Sequence, residues 1–153
     1  MDYGKRTDIQ IDFKERVSDE VLFQDYFCRA SALVAPSYGE GWGRPQAEAA
    51  SMGIPVIFTN FSGTTEFLNN KNAFPIEIEK MEVANEEGHL WALPSVNSLR
   101  SQMRLVFGNS KLRNEIGIRA REDISRSYSL EVIGRLAWNL LEDIPCIKDQ
   151  KFN

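Results

Sequence analysis

The run ALVAPSYGEGWGRPQAEAASMGIPVIFT, residues 32–59, decides the fold. It opens on a short apolar stretch, Ala32-Leu33-Val34-Ala35, that stops at Pro36, and it closes on a second, Pro55-Val56-Ile57-Phe58-Thr59. Both runs lack polar alternation, which predicts strands covered on both faces in a parallel sheet. Between them lies a helix with clear punctuation. Pro45 stands near its start, Ala47 to Met52 fill it, and Gly53 follows its end. Upstream, Ile9, Ile11 and Phe13 alternate with Gln10 and Asp12 as a short strand. Ser18 is placed to cap a helix with Asp19 and Glu20 in its first turn and Leu22, Phe23, Tyr26 and Phe27 as its apolar stripe. Strand, helix, strand, helix, strand is the pattern of a doubly wound, Rossmann-like α/β unit.

The second half has a different character. Ala73 to Ile78 reads as a further strand, and the polar, acidic stretch Glu79 to Gly88 reads as a loop. Helices are expected from Ser95 onward. Their stripes are Leu99, Met103 and Val106; then Leu112, Ile116, Ala120 and Ile124; then Leu130, Ile133, Ala137 and Leu140. Asn109-Ser110 and Ser127-Tyr128-Ser129 supply the breaks and caps. One domain over residues 1–143 is expected, with 144–153 as a tail.

Composition narrows the function classes. A formal charge of −4 and a pI near 5.1 argue against nucleic acid as a partner, because phosphate backbones need clustered cations. No window approaches the roughly 18 apolar residues of a membrane span, and the N-terminus does not read as a signal peptide. Cys28 and Cys146 match neither a disulfide framework nor a zinc-ligand spacing, and a reduced cytoplasmic compartment is the expectation.

The chemistry concentrates in Pro36 to Glu48, just past the end of an apolar strand and running into a helix. In open α/β sheets that edge is where ligands bind. Gly39, Gly41 and Gly43 allow tight turns and a close approach of backbone N–H groups to a ligand. The helix opening at Arg44-Pro45 adds partial positive charge suited to a diphosphate. Glu40 in the loop and Glu48 about one turn into the helix offer carboxylates to the vicinal hydroxyls of a ribose or hexose. Together these groups describe a site for phosphate joined to sugar. Each piece also has a plain structural reading: the glycine loop as a turn, Glu48 as a solvated residue favoured by the helix dipole, Trp42 as core packing.

The segment Glu40-Gly41-Trp42-Gly43-Arg44-Pro45-Gln46-Ala47-Glu48-Ala49, followed by Met52-Gly53-Ile54-Pro55-Val56-Ile57, resembles the E-x7-E signature of the large retaining glycosyltransferase family of GT-B fold. The usual form there is E-G-F-G-L-P-x-x-E-A-M-A-x-G-x-P-V-I. The similarity extends to Val17–Leu22, Thr59–Leu68, Gly88–Ser95 and Ser127–Ser129, and covers about Val17 to Leu141. It implies the C-terminal, donor-binding half of such an enzyme, transferring a hexose from a UDP- or GDP-sugar to a hydroxyl with retained configuration. By position, Glu40 would contact the transferred sugar and stabilise charge near its anomeric carbon. Gly41, Trp42 and Gly43 would present N–H groups to sugar and phosphate, and Glu48 would hold the ribose. Arg16 and Val17 would lie beside the nucleobase, and Gly63 and Thr64 would border the diphosphate. The resemblance implies no metal ion and no cofactor besides the nucleotide-sugar substrate.

Two departures from the family pattern stand out. Arg44 replaces an aliphatic residue and would add a cation beside the phosphates. The strand-helix portion carrying the family's diphosphate-binding Arg and Lys has no counterpart, since Lys5 and Arg6 stand in a polar stretch without that context. The acceptor domain and its catalytic His are not in these 153 residues, and His89 is expected to be structural. The chain is therefore expected to be a piece of a longer enzyme or a naturally truncated relative, with the missing N-terminal acceptor domain or a second copy of the chain as its partner. The alternatives are a non-catalytic nucleotide-sugar-binding module and a degenerate, truncated relative.

Overall fold

The computed structural model describes residues 17–84 and 88–142, together with Gln10, Lys14, Glu15 and Ile144. The strand expected over Ile9 to Phe13 and the side chain of Arg16 lie outside the described residues, as do Lys5, Arg6 and Cys146. Ser18 accepts from the Val21 N–H and caps α1 (Asp19–Val21), which continues as a wider π-helical stretch, Leu22–Tyr26, and a tighter turn, Phe27–Arg29. Only Phe27 of this segment is buried. Leu22 and Phe23 pack beside it as the stripe predicts.

Three strands form a parallel sheet in the order β1-β2-β3: β1 (Leu33–Ala35), β2 (Val56–Thr59) and β3 (Phe74–Ile76). The fold is a Rossmann-like mixed α/β domain. Parallel neighbours require a crossover. From β1 to β2 it is α2 (Arg44–Ser51), and from β2 to β3 a single 3₁₀ turn, Ser62–Glu66, with the loop after it. The central strand β2 is buried along its whole length. Its alternation divides the core: Val56 and Phe58 join Ala49, Ala50, Leu68, Ala120 and Ile124 on one face, while Ile57 joins Phe74, Ile76, Val106 and Ile116 on the other. Two-sided cover, as the uninterrupted apolar run implied, holds for β2. It does not hold for β1, where Val34 is 38% exposed. Val34 pairs with Ile57 on the face covered by α3 (Val96–Gly108), which packs on β2 and β3.

The stretch Glu79 to Gly88 corrects the sequence reading. Ile78–Val83 forms β4, an antiparallel partner of β5 (Leu90–Pro94) in a separate two-stranded sheet, with a register irregularity between Ile78 and Lys80. The charges that suggested a loop are accommodated because every residue of β4 is solvent-exposed, and Lys80 pairs with Glu82 at 2.6 Å on the same face. Only the early part of the expected strand, Phe74–Ile76, belongs to the parallel sheet.

Three helices follow: α3, α4 (Ser110–Tyr128) and α5 (Leu130–Glu142). Ser95, Asn109 and Ser129 each accept a backbone N–H at the start of one of them. The α4 stripe, Leu112, Ile116, Ala120 and Ile124, packs into both halves of the core. In α3, Val106 is buried and Leu99 packs beside it, but Met103 faces solvent. The α5 stripe has helical spacing yet buries nothing: Leu130 is 94% exposed, and Ile133 and Leu140 are exposed with it. That helix touches the rest of the described chain chiefly through α4.

Two tight features lock the layers. Asn72 is buried and fully used, donating to Phe67 O and Asp123 Oδ2 at 2.9 Å each and accepting from Asn69 N at 2.8 Å. Gly117 of α4 lies against the turn after α2, where a Cβ would stand 2.2 Å from Gly53 O. Since that neighbour is backbone, Gly117→Ala is expected to cost about 1–3 kcal/mol by forcing α4 off α2. The corresponding fall in melting temperature is about 2–4 °C per kcal/mol for a domain of this size. Gly134→Ala, where nothing lies within 4 Å, is expected to be neutral or slightly stabilising. Thermal unfolding followed by circular dichroism checks both; equal losses would mean that the α2–α4 approach is looser than drawn.

Candidate functional site

The carboxyl ends of β1 and β2 point to the same side of the sheet, and the loops leaving them meet there. Gly39 to Gly43 follows β1, and Phe61 to Glu66 follows β2. The joint is the Glu40 peptide. Its N–H donates to Ser62 Oγ at 2.8 Å, and its carbonyl accepts from Ser62 Oγ at 3.1 Å and from the Gly63 N–H at 3.0 Å. Ser62 adopts φ +58°, the left-handed region, and is the only non-glycine among the described residues to do so. Gly63 is required by contact rather than by φ: a Cβ there would lie 2.0 Å from Gly41 O and 2.8 Å from Glu40 O.

Gly43 begins α2 at φ +87°, with no side chain capping the helix. A Cβ on it would meet Thr64 Cγ2 at 2.5 Å. Thr64 is buried, and its hydroxyl donates to Phe61 O at 3.1 Å. The first turn of α2 therefore opens directly beside the second loop, with its leading N–H groups uncapped by any side chain. Such an N-terminus favours an anionic group.

The two carboxylates have different partners. Glu40 Oε1 accepts from Gln46 Nε2 at 3.3 Å. Glu48 Oε1 accepts from Arg44 Nε at 2.6 Å, and the other side of the Arg44 guanidinium donates to Asp19 Oδ2 at 2.9 Å. Arg44 thus ties the start of α1 to the start of α2. These bonds, Glu48 first and Asp19 second, hold its proton more firmly than usual. Glu48 also borders a mainly apolar groove of about 520 Å³ with Trp42, Ser51, Ile124, Tyr128 and Ile133.

Trp42 combines both readings of an exposed loop aromatic. The residue is 40% exposed, yet its ring packs on Phe67 at 4.8 Å and edge-on to Tyr128 at 5.1 Å between centroids. Tyr128 is fixed in turn by donating to Glu66 O at 3.1 Å, and burial, helped by the Glu66 charge, raises its phenol above the ordinary value. Val17 lines an apolar cavity with Leu22, Tyr26 and Leu33. His89 accepts the Ala84 N–H through its carbonyl at the end of the β4–β5 hairpin. That hairpin reaches the site from the side: the Ala92 N–H donates to Tyr38 O at 2.9 Å, and Trp91 stacks on Tyr38.

The structure thus joins Glu40, Gly41, Gly43, Gly63 and Thr64 in one arrangement, with Trp42, Arg44 and Glu48 along its α2 side. Sequence reasoning missed Ser62 and Gln46. Ser62 had a visible signal in its place just before Gly63, whereas Gln46 had none, because its amide is put to use only once the loop folds back over α2. Among the described residues no group of three or more His, Cys, Asp or Glu is placed to hold a metal ion, and no helix is long and apolar enough to cross a membrane.

The contrast between the two loop glycines is testable. Gly63→Ala is expected to separate the loops and lower the melting temperature, because two backbone carbonyls occupy the space of its Cβ. Gly41→Ala, with nothing within 4 Å, is expected to leave the melting temperature nearly unchanged. A Gly63→Ala protein as stable as the parent would refute the close approach.

The family model described as glycosyl transferases group 1 matches residues 4–86, more than half of the chain. The capsular polysaccharide biosynthesis glycosyltransferase CapM of Staphylococcus aureus is 23% identical over 130 residues. The aligned region is 85% of this chain and 29% of CapM, so the chain spans under a third of that relative's length.

Proposed function

This chain belongs to the glycosyl transferases group 1 family, and on that premise we propose that it is the donor-binding half of a retaining, GT-B-type hexosyltransferase whose substrate is a nucleotide-sugar. The observation that carries the reading is the joint of the two loops at the strand ends. There the Glu40 peptide is held by Ser62 and Gly63 beside the uncapped start of α2. This is the place in an open parallel sheet where a phosphate-bearing ligand is favoured by geometry and by the helix dipole together.

In this reading the roles divide along the E-x7-E spacing. The backbone N–H groups of Gly41, Trp42 and Gly43, with the loop at Gly63 and Thr64, receive sugar and diphosphate. Glu48 takes the ribose hydroxyls, with Arg44 fixing its carboxylate and adding positive charge nearby. Glu40 contacts the transferred hexose and stabilises positive charge as the anomeric carbon–oxygen bond breaks. The leaving diphosphate is stabilised by preorganised dipoles, which lose no energy to reorganisation as charge develops. Arg16 and Val17 border the nucleobase. The donor is a UDP- or GDP-hexose, the reaction uses no metal or further cofactor, and it takes place in the cytoplasm.

Transfer also needs an acceptor hydroxyl held near the anomeric carbon, and positioning of that kind accounts for much of a barrier reduction. We assign that task to an N-terminal acceptor domain outside these 153 residues or to a second copy of the chain. The purified chain alone is therefore expected to bind donors weakly, in about the high micromolar to millimolar range. It is expected to show at most slow donor hydrolysis. A transfer assay against glycan and lipid acceptors, with the mass in solution measured alongside, checks this; rapid turnover by a monomer would contradict it.

The two carboxylates separate the donor reading from a plain nucleotide site. Glu48→Ala is expected to weaken free UDP or GDP about tenfold, the scale of a lost charge-assisted hydrogen bond. Glu40→Ala is expected to spare the nucleotide and weaken only sugar-bearing donors. Calorimetry with a panel of nucleotides and nucleotide-sugars measures both. Equal damage from the two substitutions, or none from either, would overturn the division. Failure of the folded wild-type chain to bind any donor at millimolar concentration would favour a degenerate relative.

A further inference from the structure

Gln46 is a buried polar side chain to which the proposed mechanism gives no task. It stands in the first turn of α2 and is 2% exposed. Its Nε2 donates to Glu40 Oε1 at 3.3 Å, while its Oε1 is buried without a hydrogen-bond partner. The same amide lies against the start of the helix, since a Cβ on Gly43 would meet Gln46 Oε1 at 3.2 Å. The carboxamide is therefore wedged beneath the glycine loop with its N–H group turned to the carboxylate.

We propose that Gln46 is a positioning residue that sets the Glu40 carboxylate for recognition of the hexose, a role that rests on the donor-binding reading above. A glutamate side chain turns about three bonds, and on a loop rich in glycine its backbone does little to fix them. The Glu40 peptide is anchored by Ser62 and Gly63, which fixes where the side chain starts; Gln46 fixes where it ends. The bond from Gln46 holds Oε1 and leaves Oε2 for sugar hydroxyls. The amide has one sensible sense, because the reverse would set its oxygen against a carboxylate oxygen. Packing alone does not call for this residue. An apolar side chain of the same length would fill the space without burying an unpartnered oxygen, which is a costly arrangement. The amide instead spends burial on geometry, holding a flexible carboxylate in one orientation before a sugar arrives.

The first test uses the unmodified chain. In ¹H–¹⁵N spectra the Gln46 side-chain amide is expected to shift on adding UDP-glucose or GDP-mannose, and to stay in place with UDP or GDP. The second uses Gln46→Met, which keeps the volume and removes the donor. Its preference for the sugar-bearing form over the bare nucleotide is expected to fall about tenfold, with nucleotide affinity changed less than about twofold. Gln46→Glu, which restores a polar group of the same shape but sets a second carboxylate against the first, should not rescue that preference. Wild-type preference in either variant would overturn the inference and leave the donor reading standing, as would an amide resonance unmoved by a sugar that binds. A wild-type chain that binds none of these ligands would overturn both. Should Gln46→Met fail to fold, the wild-type spectra decide alone.

Discussion

The whole carboxyl edge depends on one close approach, that of Gly63 to the carbonyl of Gly41, with the Ser62 hydroxyl gripping the Glu40 peptide beside it. Two loops whose contacting residues lie 22 apart in sequence become one surface because Gly63 has no side chain at the point where they touch. The grip satisfies both main-chain polar groups of a single residue, Glu40, so it fixes orientation as well as distance. Ser62 accepts a left-handed backbone to make it, a small cost of the kind that accompanies functional turns. Without that contact the start of α2, the carboxylate of Glu40 and the turn at Thr64 would be three separate features.

Much of the fold was legible in residues 32–59. Proline and glycine mark the ends of α2, and the apolar runs mark β1 and β2, because those signals are local and steric. The hairpin β4–β5 was not legible. Its strand Ile78–Val83 is exposed throughout and its apolar residues, Ile78, Met81 and Val83, do not alternate regularly with its charges, so it resembled a loop while pairing with β5 decided the structure. Helical spacing similarly located α5 but could not tell that its stripe faces outward, since periodicity gives a face and not a neighbour.

Which residues meet at the strand ends was more legible than how they are held. The loop glycines suggested a close approach of backbone, and the structure brings Glu40, Gly41 and Gly63 together at the strand ends. The carboxylates' partners could not be read. Arg44 lies four residues before Glu48, the spacing of neighbours along a helix, yet its second partner Asp19 is supplied by a distant segment. Trp42 showed why core packing and ligand contact are not exclusive alternatives. One part of its ring rests on Phe67 and Tyr128 while the rest stays open beside Glu48.

The outward stripe of α5 has a thermodynamic consequence. A helix of 13 residues is marginal in water on its own, and none of its side chains is buried. Its amides should therefore exchange with solvent through local opening, at a free energy well below that of the whole domain. The central strand β2, buried at every position, belongs to the opposite end of that scale. Ile133, on α5, is also a wall of the groove beside Glu48. One wall of the groove beside Glu48 thus belongs to a helix that buries none of its side chains, so local opening of α5 would widen that groove while the β2 core stays closed.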